Sequence, residues 1–467
     1  MKTKTVLTIA ICLSLFATTN FASAQMAGAG YQMPGQPVII ENPGQASSIS
    51  SPIPGQVGQI QNWNVTPEFA VSQMEACSAG CGPQAIGGDF FRLHSEYTFQ
   101  MLDFQNRQGD KETILLCNAM ANGGQPGVAF GSQFRASALF ATTNTTDKFS
   151  YLGRFPPDFV GDSATDFRLL QANQSFTVTA APGVHGYIET LFSDVFTFPS
   201  FEQGSYQVRQ AYVVFGDFAA SPFYAFVGKK NISFGDFGTL SPFTQAVPWH
   251  YFAPVAEGAG AGFKNRYVNA TVTAINGGRG IRVADSDRIG HLNNFAANIL
   301  LSSYGNGNTR LDVGAGYLYG TIYDSAVPDH IDPNNTGPRN GAWDVNARLR
   351  TGALTLEAEY VQTENPWPAT NHEVIAYRTE AALDGQFNGM PARYSVSWSE
   401  GIQGDPGTEF EFNRQLVLGL RVQPYQRVFL SAEYVRNTGF APLINIATVS
   451  DIDVVQDSAV LGATIFF

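Results

Sequence analysis

The last eleven residues, Asp457 to Phe467, constrain the fold of this chain more than any other stretch. Successive side chains of a β-strand point to opposite faces. Counted back from the end, one face is apolar throughout, and it consists of Ala459, Leu461, Ala463, Ile465 and Phe467. The pattern predicts a terminal strand that presents this face to an apolar environment.

A chain that ends in an apolar strand closed by Phe resembles the C-terminal strand of bacterial outer-membrane β-barrels. The resemblance implies that this strand closes a barrel against the first strand, that the barrel assembly machinery recognises it, and that outer-membrane lipid surrounds the protein. Such a protein needs an export signal, many more strands of the same kind, and no membrane-spanning helix.

The first 24 residues have the layout of a secretory signal peptide. Lys2 and Lys4 precede an apolar run from Val6 to Ala17, and Ala22-Ser23-Ala24 supplies small residues for cleavage. The run is too short to span a bilayer, and no later stretch approaches the roughly 18 apolar residues that a membrane helix needs. We therefore expect residues 1–24 to be a cleaved signal and the protein to reach the outer membrane of a Gram-negative bacterium.

The composition also favours a membrane barrel. Aromatic residues make up 13% of the chain and charged residues only 14%, whereas soluble domains contain about 25% charged residues. This shortage indicates a second apolar surface outside any core, such as the lipid-facing band of a barrel. The formal net charge of −12 becomes −14 once Lys2 and Lys4 are lost. Nucleic acid is therefore not an expected partner, because its binding requires a basic face.

The chain divides into four predicted parts. After the signal, residues 25–86 are rich in Gly, Pro, Gln and Ser, which is typical of a flexible segment. Residues 87–127 contain more apolar side chains and predict a small N-terminal element in or under the barrel. Residues 128–467 consist of alternating segments of about ten residues separated by turn signals, which predicts an all-β, transmembrane antiparallel barrel.

Two cysteines of the flexible segment, Cys77 and Cys81, are candidates for a disulfide in an oxidising periplasm. Free thiols and a metal site are the alternatives, and no His lies near the pair in sequence. A metal is not expected there, and no cofactor is expected elsewhere.

Fifteen strands can be read directly from the alternating pattern. They lie near residues 128–141, 166–181, 184–196, 205–216, 223–235, 259–275, 292–303, 309–323, 341–350, 353–363, 373–384, 391–400, 412–422, 427–437 and 457–467. Single-chain bacterial barrels have an even number of strands, with short turns on the periplasmic side and long loops outside. The alternation of short and long connections is consistent only if one more strand crosses between residues 236 and 258. We place it at Ala246 to Ala253, which predicts about sixteen strands.

The predicted topology also places an aromatic girdle, as lipid-facing barrels show at the membrane interface. The outward rows of four strands are apolar, and each ends in an aromatic residue near the external rim. These residues are Trp343, Tyr360, Trp398 and Tyr434.

The opposite phase of the same strands is polar or charged, and a barrel of this size is wide enough for an aqueous channel. Rows of both charge signs select solutes by charge and size, although such pairs can also simply brace the wall. The pore-lining candidates on these rows are Arg348, Arg350, Glu357, Glu359, Arg378, Glu380, Arg393, Arg421 and Glu433.

The most specific motif lies at residues 206–238, where an Ala-Tyr-apolar-Phe-Gly strand is followed by Ser-Pro-Phe-Tyr, Gly228-Lys229 and Phe234-Gly235. This hairpin resembles the LbtU-type siderophore porins and, more distantly, the phosphate-selective porins. The resemblance implies a sixteen-stranded barrel that admits a ferric siderophore or another small solute. The Gly/Pro-rich N-terminal segment departs from the helical, coiled-coil-like segment expected in that family.

The same hairpin supplies two further pore-lining candidates, Lys229 and Asn231, on the phase that we expect to face the lumen. The loop from Asp236 to about Gln245 follows directly and is expected to fold into the channel and narrow it. Lys229 is the leading candidate, and a lysine at the rim that holds its charge in water is the alternative.

The sequence leaves two classes of function open. The first is a porin that forms an aqueous channel for small solutes, with ferric siderophore as the finer expectation and a homo-oligomer as a further one. The second is an adhesin or structural barrel with a closed lumen. An enzyme is not expected, because the six His residues are scattered and no Gly-x-Ser-x-Gly or His-Glu-x-x-His motif occurs.

Overall fold

The computed structural model describes residues 91–93, 95–121, 123–145, 161–193, 205–277, 282–283, 291–305, 309–324, 339–408, 410–439 and 454–467. The predicted signal peptide, the segment 25–86 with Cys77 and Cys81, and most of the long connections lie outside these ranges.

The chain forms a closed antiparallel barrel of sixteen strands, to which the short strand β1 (Phe91–Leu93) adds in parallel beside β2. The pairing of β9 with β10 and of β17 with β2 closes the sheet. The barrel strands are β2 (Gly127–Thr143), β3 (Ser163–Ala181), β4 (Val184–Ser193), β5 (Ser205–Gly216), β6 (Phe223–Asn231), β7 (Val255–Lys264), β8 (Val268–Asn276), β9 (Leu292–Tyr304), β10 (Arg310–Leu318), β11 (Ala342–Thr351), β12 (Leu354–Trp367), β13 (His372–Phe387), β14 (Met390–Ile402), β15 (Asn413–Tyr425), β16 (Val428–Gly439) and β17 (Val455–Phe466).

The C-terminal strand closes the barrel, as its pattern predicts. The backbones of Phe467 and Ser132 exchange two hydrogen bonds, of 2.9 and 3.2 Å, at the end of the β17–β2 seam. Leu461 is 52% exposed on the outside, whereas its neighbour Val460 is 1% exposed and faces the interior. The predicted outward row of this strand is therefore confirmed.

Every barrel strand is antiparallel to its neighbours, so successive connections lie at opposite ends of the barrel. One end has only short turns, and the other has longer connections except for residues 368–371. We call these the short-turn end and the long-loop end. The short turns span residues 182–183, 217–222, 265–267, 305–309, 352–353, 388–389 and 426–427.

The predicted strand count is confirmed, but the predicted position of the sixteenth strand is wrong. Residues Val247–Phe252 form a short helix, α3, with Pro248 in its first turn. The extra crossing lies instead within 259–275, where β7 and β8 meet at a tight turn whose Asn265 side chain accepts hydrogen bonds of 2.8 Å from the backbone of Tyr267 and Val268. This turn lacks a Pro-Gly or Asn-Gly signal. The sequence pattern therefore predicts one long strand where the structure has two, of ten and nine residues.

The outer surface of the barrel is an apolar band with an aromatic girdle near the long-loop end. Trp343 stacks on Tyr360 at 5.3 Å between ring centroids, Tyr360 stacks on Tyr377 at 6.4 Å, and Tyr377 contacts Trp398 at 5.3 Å. The predicted girdle is therefore present on neighbouring strands, with Tyr377 as an additional member. A lipid-facing surface accounts for such exposed aromatic and aliphatic side chains.

Two helices precede the barrel, α1 (Ser95–Leu102) and α2 (Glu112–Ala121). Both pack against inner faces of strands near β2 and β5, and we call residues 99–121 the plug. Within the described ranges, no helix is long and apolar enough to cross a membrane.

Candidate functional site: the barrel interior

A second element besides the plug enters the barrel interior. Residues 232–254, which connect β6 to β7 at the long-loop end, turn inward along the wall formed by β11 to β17, and we call them the inward loop. The side chains of Phe234, Phe237, Tyr251 and Phe252 are nearly fully buried in the largest apolar cluster of the described structure. The loop predicted near residues 236–245 does fold into the barrel interior, and its narrowing of a channel stays a prediction.

Glutamates of the barrel wall hold the inward loop by its backbone. The carboxylate of Glu359 accepts hydrogen bonds from the amides of Asp236 and Phe237, at 2.7 and 2.9 Å. Glu380 accepts bonds from Leu240 N at 2.9 Å and from a threonine hydroxyl at 2.6 Å. Glu433, three strands further along, accepts a 2.7 Å bond from the amide of Phe243. These carboxylates therefore replace the hydrogen-bonding partners that water or a sheet would otherwise supply to a buried loop.

An ion cluster lies where the inward loop meets β11, β12 and β13. The guanidinium of Arg378, which is 1% exposed, contacts Glu359 at 2.7 Å, Glu357 at 2.9 Å and Asp236 of the loop at 3.2 Å, and it also contacts Glu380. Burial opposes ionisation of Asp236, but three neighbouring guanidinium groups, of which Arg348 contributes most, hold the pKa of its carboxyl well below the usual range. The ion pairs of Asp236 therefore fix the loop to the wall.

The plug contacts both the wall and the inward loop. The backbone of the plug bonds to that of the loop through Thr239 N to Gln105 O at 2.7 Å and Gln108 N to Asp236 O at 3.0 Å. Phe99 packs on Phe466 of the closing strand, at 4.8 Å between ring centroids. The plug and the loop thus form one connected body that occupies part of the barrel interior.

Part of the inner wall of β4 to β6 is apolar, and the plug covers it. Met101, Leu115 and Leu116 of the plug pack against aromatic and aliphatic side chains of this wall. The wall side chains in this cluster are Tyr187, Tyr212, Val214, Tyr224 and Phe226.

This covered wall explains why the prediction for Lys229 is wrong. Lys229 lies opposite Ala211 and Glu257 in the sheet, on the same outward row as Val227, and its Nζ donates to Val208 O at 3.0 Å near the rim. The neighbouring Lys230 faces inward. In the sequence, the aromatic inner row of β6 with Tyr224 and Phe226 resembles a lipid-facing row. The prediction therefore exchanges the inward and outward rows of this strand.

Lys230 is 2% exposed and forms a 2.8 Å ion pair with Glu112 of α2. We expect Lys230→Met to lower the stability of the barrel by about 3 kcal/mol, because removal of one partner leaves the other charge buried and uncompensated. Lys229→Met, the adjacent matched control, is expected to change stability by less than about 0.5 kcal/mol. Urea unfolding in detergent micelles measures both, and equal midpoints for the two variants would contradict this placement of the side chains.

Asn231, the last residue of β6, lies in the interior as predicted. Its amide side chain contacts Gln108 of the plug at 3.4 Å, and its backbone N–H donates to Gln210 Oε1 at 3.1 Å. It therefore joins the plug to the wall and does not line open water.

The remaining predicted residues all lie on inward rows, but they divide into two groups. Glu357, Glu359, Arg378, Glu380 and Glu433 are at most 5% exposed beneath the inward loop. Arg350 is exposed, and the side chain of Arg393 is 25% exposed. Arg348 and Arg421 are intermediate. The first group holds the loop directly or through Arg378, and the second group borders the solvent-exposed part of the interior.

Sequence reasoning missed Asp236 and Arg107, which join the loop to the plug at 3.4 Å. A local signal was available for Asp236, because Gly-Asp-Phe occurs twice in this region, at residues 216–218 and 235–237. In both copies the Asp carboxylate accepts a 2.9 Å bond from the backbone two residues later, which is the mark of an Asx-turn. Nothing in the sequence around Arg107 indicates its partner 129 residues away.

Lys111, between α1 and α2, is a buried cation whose Nζ donates to the backbone oxygens of Met101 and Asp103, at 2.9 and 2.8 Å. Burial, together with nearby Arg209, lowers its pKa to about 8.

A lysine whose pKa is lower in the folded state releases its proton on folding between that value and its ordinary value of 10.5. Over this window the unfolded state binds more protons, so stability rises with pH. We expect the wild-type barrel to gain stability from about pH 8 upward relative to Lys111→Met, which lacks this contribution. Paired urea titrations at pH 7, 8, 9 and 10 measure the difference, and parallel pH profiles would contradict it.

Cys117 of α2 is disulfide-bonded, and its partner lies outside the described residues. The predicted Cys77–Cys81 pair also lies outside them and stays a prediction. Within the described ranges, no group of three or more His, Cys, Asp or Glu side chains is arranged to hold a metal ion.

Comparison with solved structures finds barrels of similar fold. The chain is similar to the anion-selective porin from Comamonas acidovorans, with a TM-score of 0.50 and 10% identity over 73% of this chain and 100% of that one. It is also similar to the outer-membrane channel DcaP of Acinetobacter baumannii, with a TM-score of 0.49 and 14% identity over 73% and 97%. For OprB of Pseudomonas putida the TM-score is 0.48, with 10% identity over 77% and 96%. At such identities the likeness shows the barrel fold alone.

No protein-family model matches the chain, and no curated protein matches it.

Proposed function

We propose that this protein is an outer-membrane porin, a channel through which small solutes diffuse and whose width is set by the plug and the inward loop. The apolar outer band and the aromatic girdle suit a barrel in a lipid bilayer. The observation that supports a channel best is the water-exposed polar wall inside the barrel at its short-turn end. There the inward-facing side chains of Arg310 and Arg393 are 40% and 25% exposed.

The inward loop and the plug leave only part of the cross-section open to solutes. Both are held by buried hydrogen bonds and ion pairs, so the passage is rigid where they meet. A rigid constriction of this kind selects by size and by the charges on its rim. We therefore expect a narrow channel for small solutes.

The test is electrical. Purified, refolded protein in a planar bilayer is expected to give stepwise single-channel currents. A shift in gel mobility between unboiled and boiled samples checks that the barrel is folded. A folded barrel that stays electrically silent would overturn the proposed function.

A closed barrel that acts as an adhesin or structural protein is the second candidate, and the packing of the interior favours it. Arg378 beneath the inward loop and Lys230 against the plug are 1% and 2% exposed, as expected for an interior filled by the loop and the plug. Binding of the folded but silent protein to host or bacterial surfaces would support this candidate.

Passage of a ferric siderophore is the finer proposal, and it depends on the sequence resemblance of residues 206–238. Growth with a ferric siderophore as the sole iron source, with and without the gene, tests it. If iron uptake is unchanged while conductance is present, the protein is a general channel.

Three further expectations come with the proposed location. They are cleavage of residues 1–24, insertion by the barrel assembly machinery through the strand that ends at Phe467, and assembly as a homo-oligomer. N-terminal sequencing of the mature protein, depletion of the machinery and cross-linking in intact cells test them in turn.

A further inference from the structure

Four arginines face the interior at the short-turn end, in one pair on β10 and β11 and a second pair on β14 and β15, with β12 and β13 between the two pairs. Arg310 of β10 lies directly opposite Arg350 of β11, and Arg393 of β14 lies directly opposite Arg421 of β15. We call these four residues the arginine array. Like charges directly opposite each other in a sheet are destabilising. Two such arginine pairs therefore lower the stability of the barrel, and a function that uses their charge would account for their presence.

Protein carboxylates neutralise only half of the array. Arg310 contacts Asp312 at 2.8 Å, and Arg393 forms a two-pronged pair with Asp384 at 2.6 and 2.8 Å. Among the residues that the structure describes, neither Arg350 nor Arg421 has a carboxylate within ion-pair distance. With four arginines and two aspartates, this part of the wall has a net charge of +2.

The acidic residues elsewhere on the same wall do not offset this charge at the water boundary. Glu357, Glu359, Glu380 and Glu433 are at most 5% exposed, and each is already engaged with an arginine or with the inward loop. The chain is acidic as a whole, with a net charge of −12. Asp103 of the plug lies near Arg421 but is only 7% exposed, so the water-facing inner surface near the array is nevertheless basic.

We infer that the arginine array is an anion-binding surface that makes the channel prefer small anions over cations; this inference rests on the proposed channel function. The unpaired guanidinium groups of Arg350 and Arg421 present planar forks of donors, which match the oxygens of phosphate and carboxylate. The class of solute is thus a small oxyanion, with inorganic phosphate as the simplest probe.

The experiment measures the reversal potential in a tenfold gradient of KCl across a planar bilayer. Wild-type protein is expected to be anion-selective. The variant Arg350→Gln/Arg421→Gln is expected to lose at least about half of the anion preference, because it removes the two uncompensated charges. Arg436→Gln, which makes the same chemical change on the outward row near the long-loop end, is the matched control and is expected to keep wild-type selectivity.

A second measurement separates failure of this inference from failure of the channel proposal. Titration of the detergent-solubilised barrel with inorganic phosphate in a calorimeter is expected to show binding that the double variant lacks. Conductance without anion preference would overturn the inference and leave the channel intact. A silent barrel would overturn the proposed channel. If the silent barrel still binds phosphate and the binding depends on Arg350 and Arg421, the anion-binding surface is supported. If it binds no phosphate, the anion-binding surface is overturned as well.

Discussion

Replacing Arg378 by methionine is expected to lower the stability of the barrel by about 3–5 kcal/mol, the cost of leaving buried charge uncompensated. Its guanidinium contacts four carboxylates, of Asp236, Glu357, Glu359 and Glu380. Arg348 and Arg107 can compensate only part of the charge that remains, because their ion pairs reach Glu357 and Asp236 but not Glu359 or Glu380. The loss should appear as a lower urea midpoint and a lower temperature at which the folded gel band disappears.

The matched control is Arg436→Met, which removes a half-exposed arginine from its 3.4 Å pair with Asp457 at the outer rim. Exposed pairs of this kind contribute about 0–1 kcal/mol, so this variant should unfold close to the wild type. Equal midpoints for the two variants would show that the interior cluster is solvated and does not depend on Arg378.

The loss of Arg378 should also release the inward loop. Glu359 bonds both to Arg378 and to the amides of Asp236 and Phe237, so its carboxylate loses its fixed position in the variant. Backbone amides of the loop are therefore expected to exchange with deuterium faster than those of the barrel strands. Unchanged exchange in the loop, combined with a lower midpoint, would place the destabilisation in the wall alone.

The outer half of the fold could be predicted from the sequence because lipid imposes one simple rule on it. Every outward side chain in the band must be apolar, so the period of two is visible in β11, β12, β14 and β17 and fixes both register and girdle. The number of strands then followed from the alternation of short and long connections. Only the β7–β8 turn, with Asn265-Arg266-Tyr267, lacked a recognisable signal.

The inner half follows no single rule, and the errors lie there. Inward side chains face water near Arg350, the inward loop near Glu433, and the apolar helices of the plug near Tyr224 and Phe226. An apolar inner row looks like an outer row in the sequence, which is why Lys229 was assigned to the lumen in place of Lys230. The role of the interior glutamates as anchors depends on partners more than 100 residues away, such as Phe243 for Glu433.

Glycines of the inner wall show the same limit, because in a strand they suggest a bulge or a weak point. Here two of them make room for the inward loop. A Cβ on Gly419 would overlap Cδ of Pro242, and a Cβ on Gly462 would lie 2.6 Å from the ring of Phe243. The loop can approach the wall closely enough to bond Glu433 only because these side chains are absent.

Gly419→Val is therefore expected to push the loop away from the wall and further into the passage. The added side chain cannot be accommodated against Pro242, and such overpacking costs about 1–3 kcal/mol. The bonds from Phe243 and Thr244 to Glu433 should lengthen or break as residues 242–244 move. If the proposed channel exists, its single-channel conductance should fall by about twofold or more, since the displaced loop narrows the constriction.

Two further variants separate displacement of the loop from a general effect of valine in a strand. At Gly385 a Cβ would meet only a ring carbon of Tyr394, at 3.9 Å, so Gly385→Val should leave both conductance and stability near wild type. Glu433→Ala removes the anchor without adding bulk, and the freed loop should give larger and noisier currents, the opposite sign to Gly419→Val. A fall in conductance for Glu433→Ala, or an unchanged one for Gly419→Val, would mean that residues 242–244 do not border the passage and that the constriction lies at the plug.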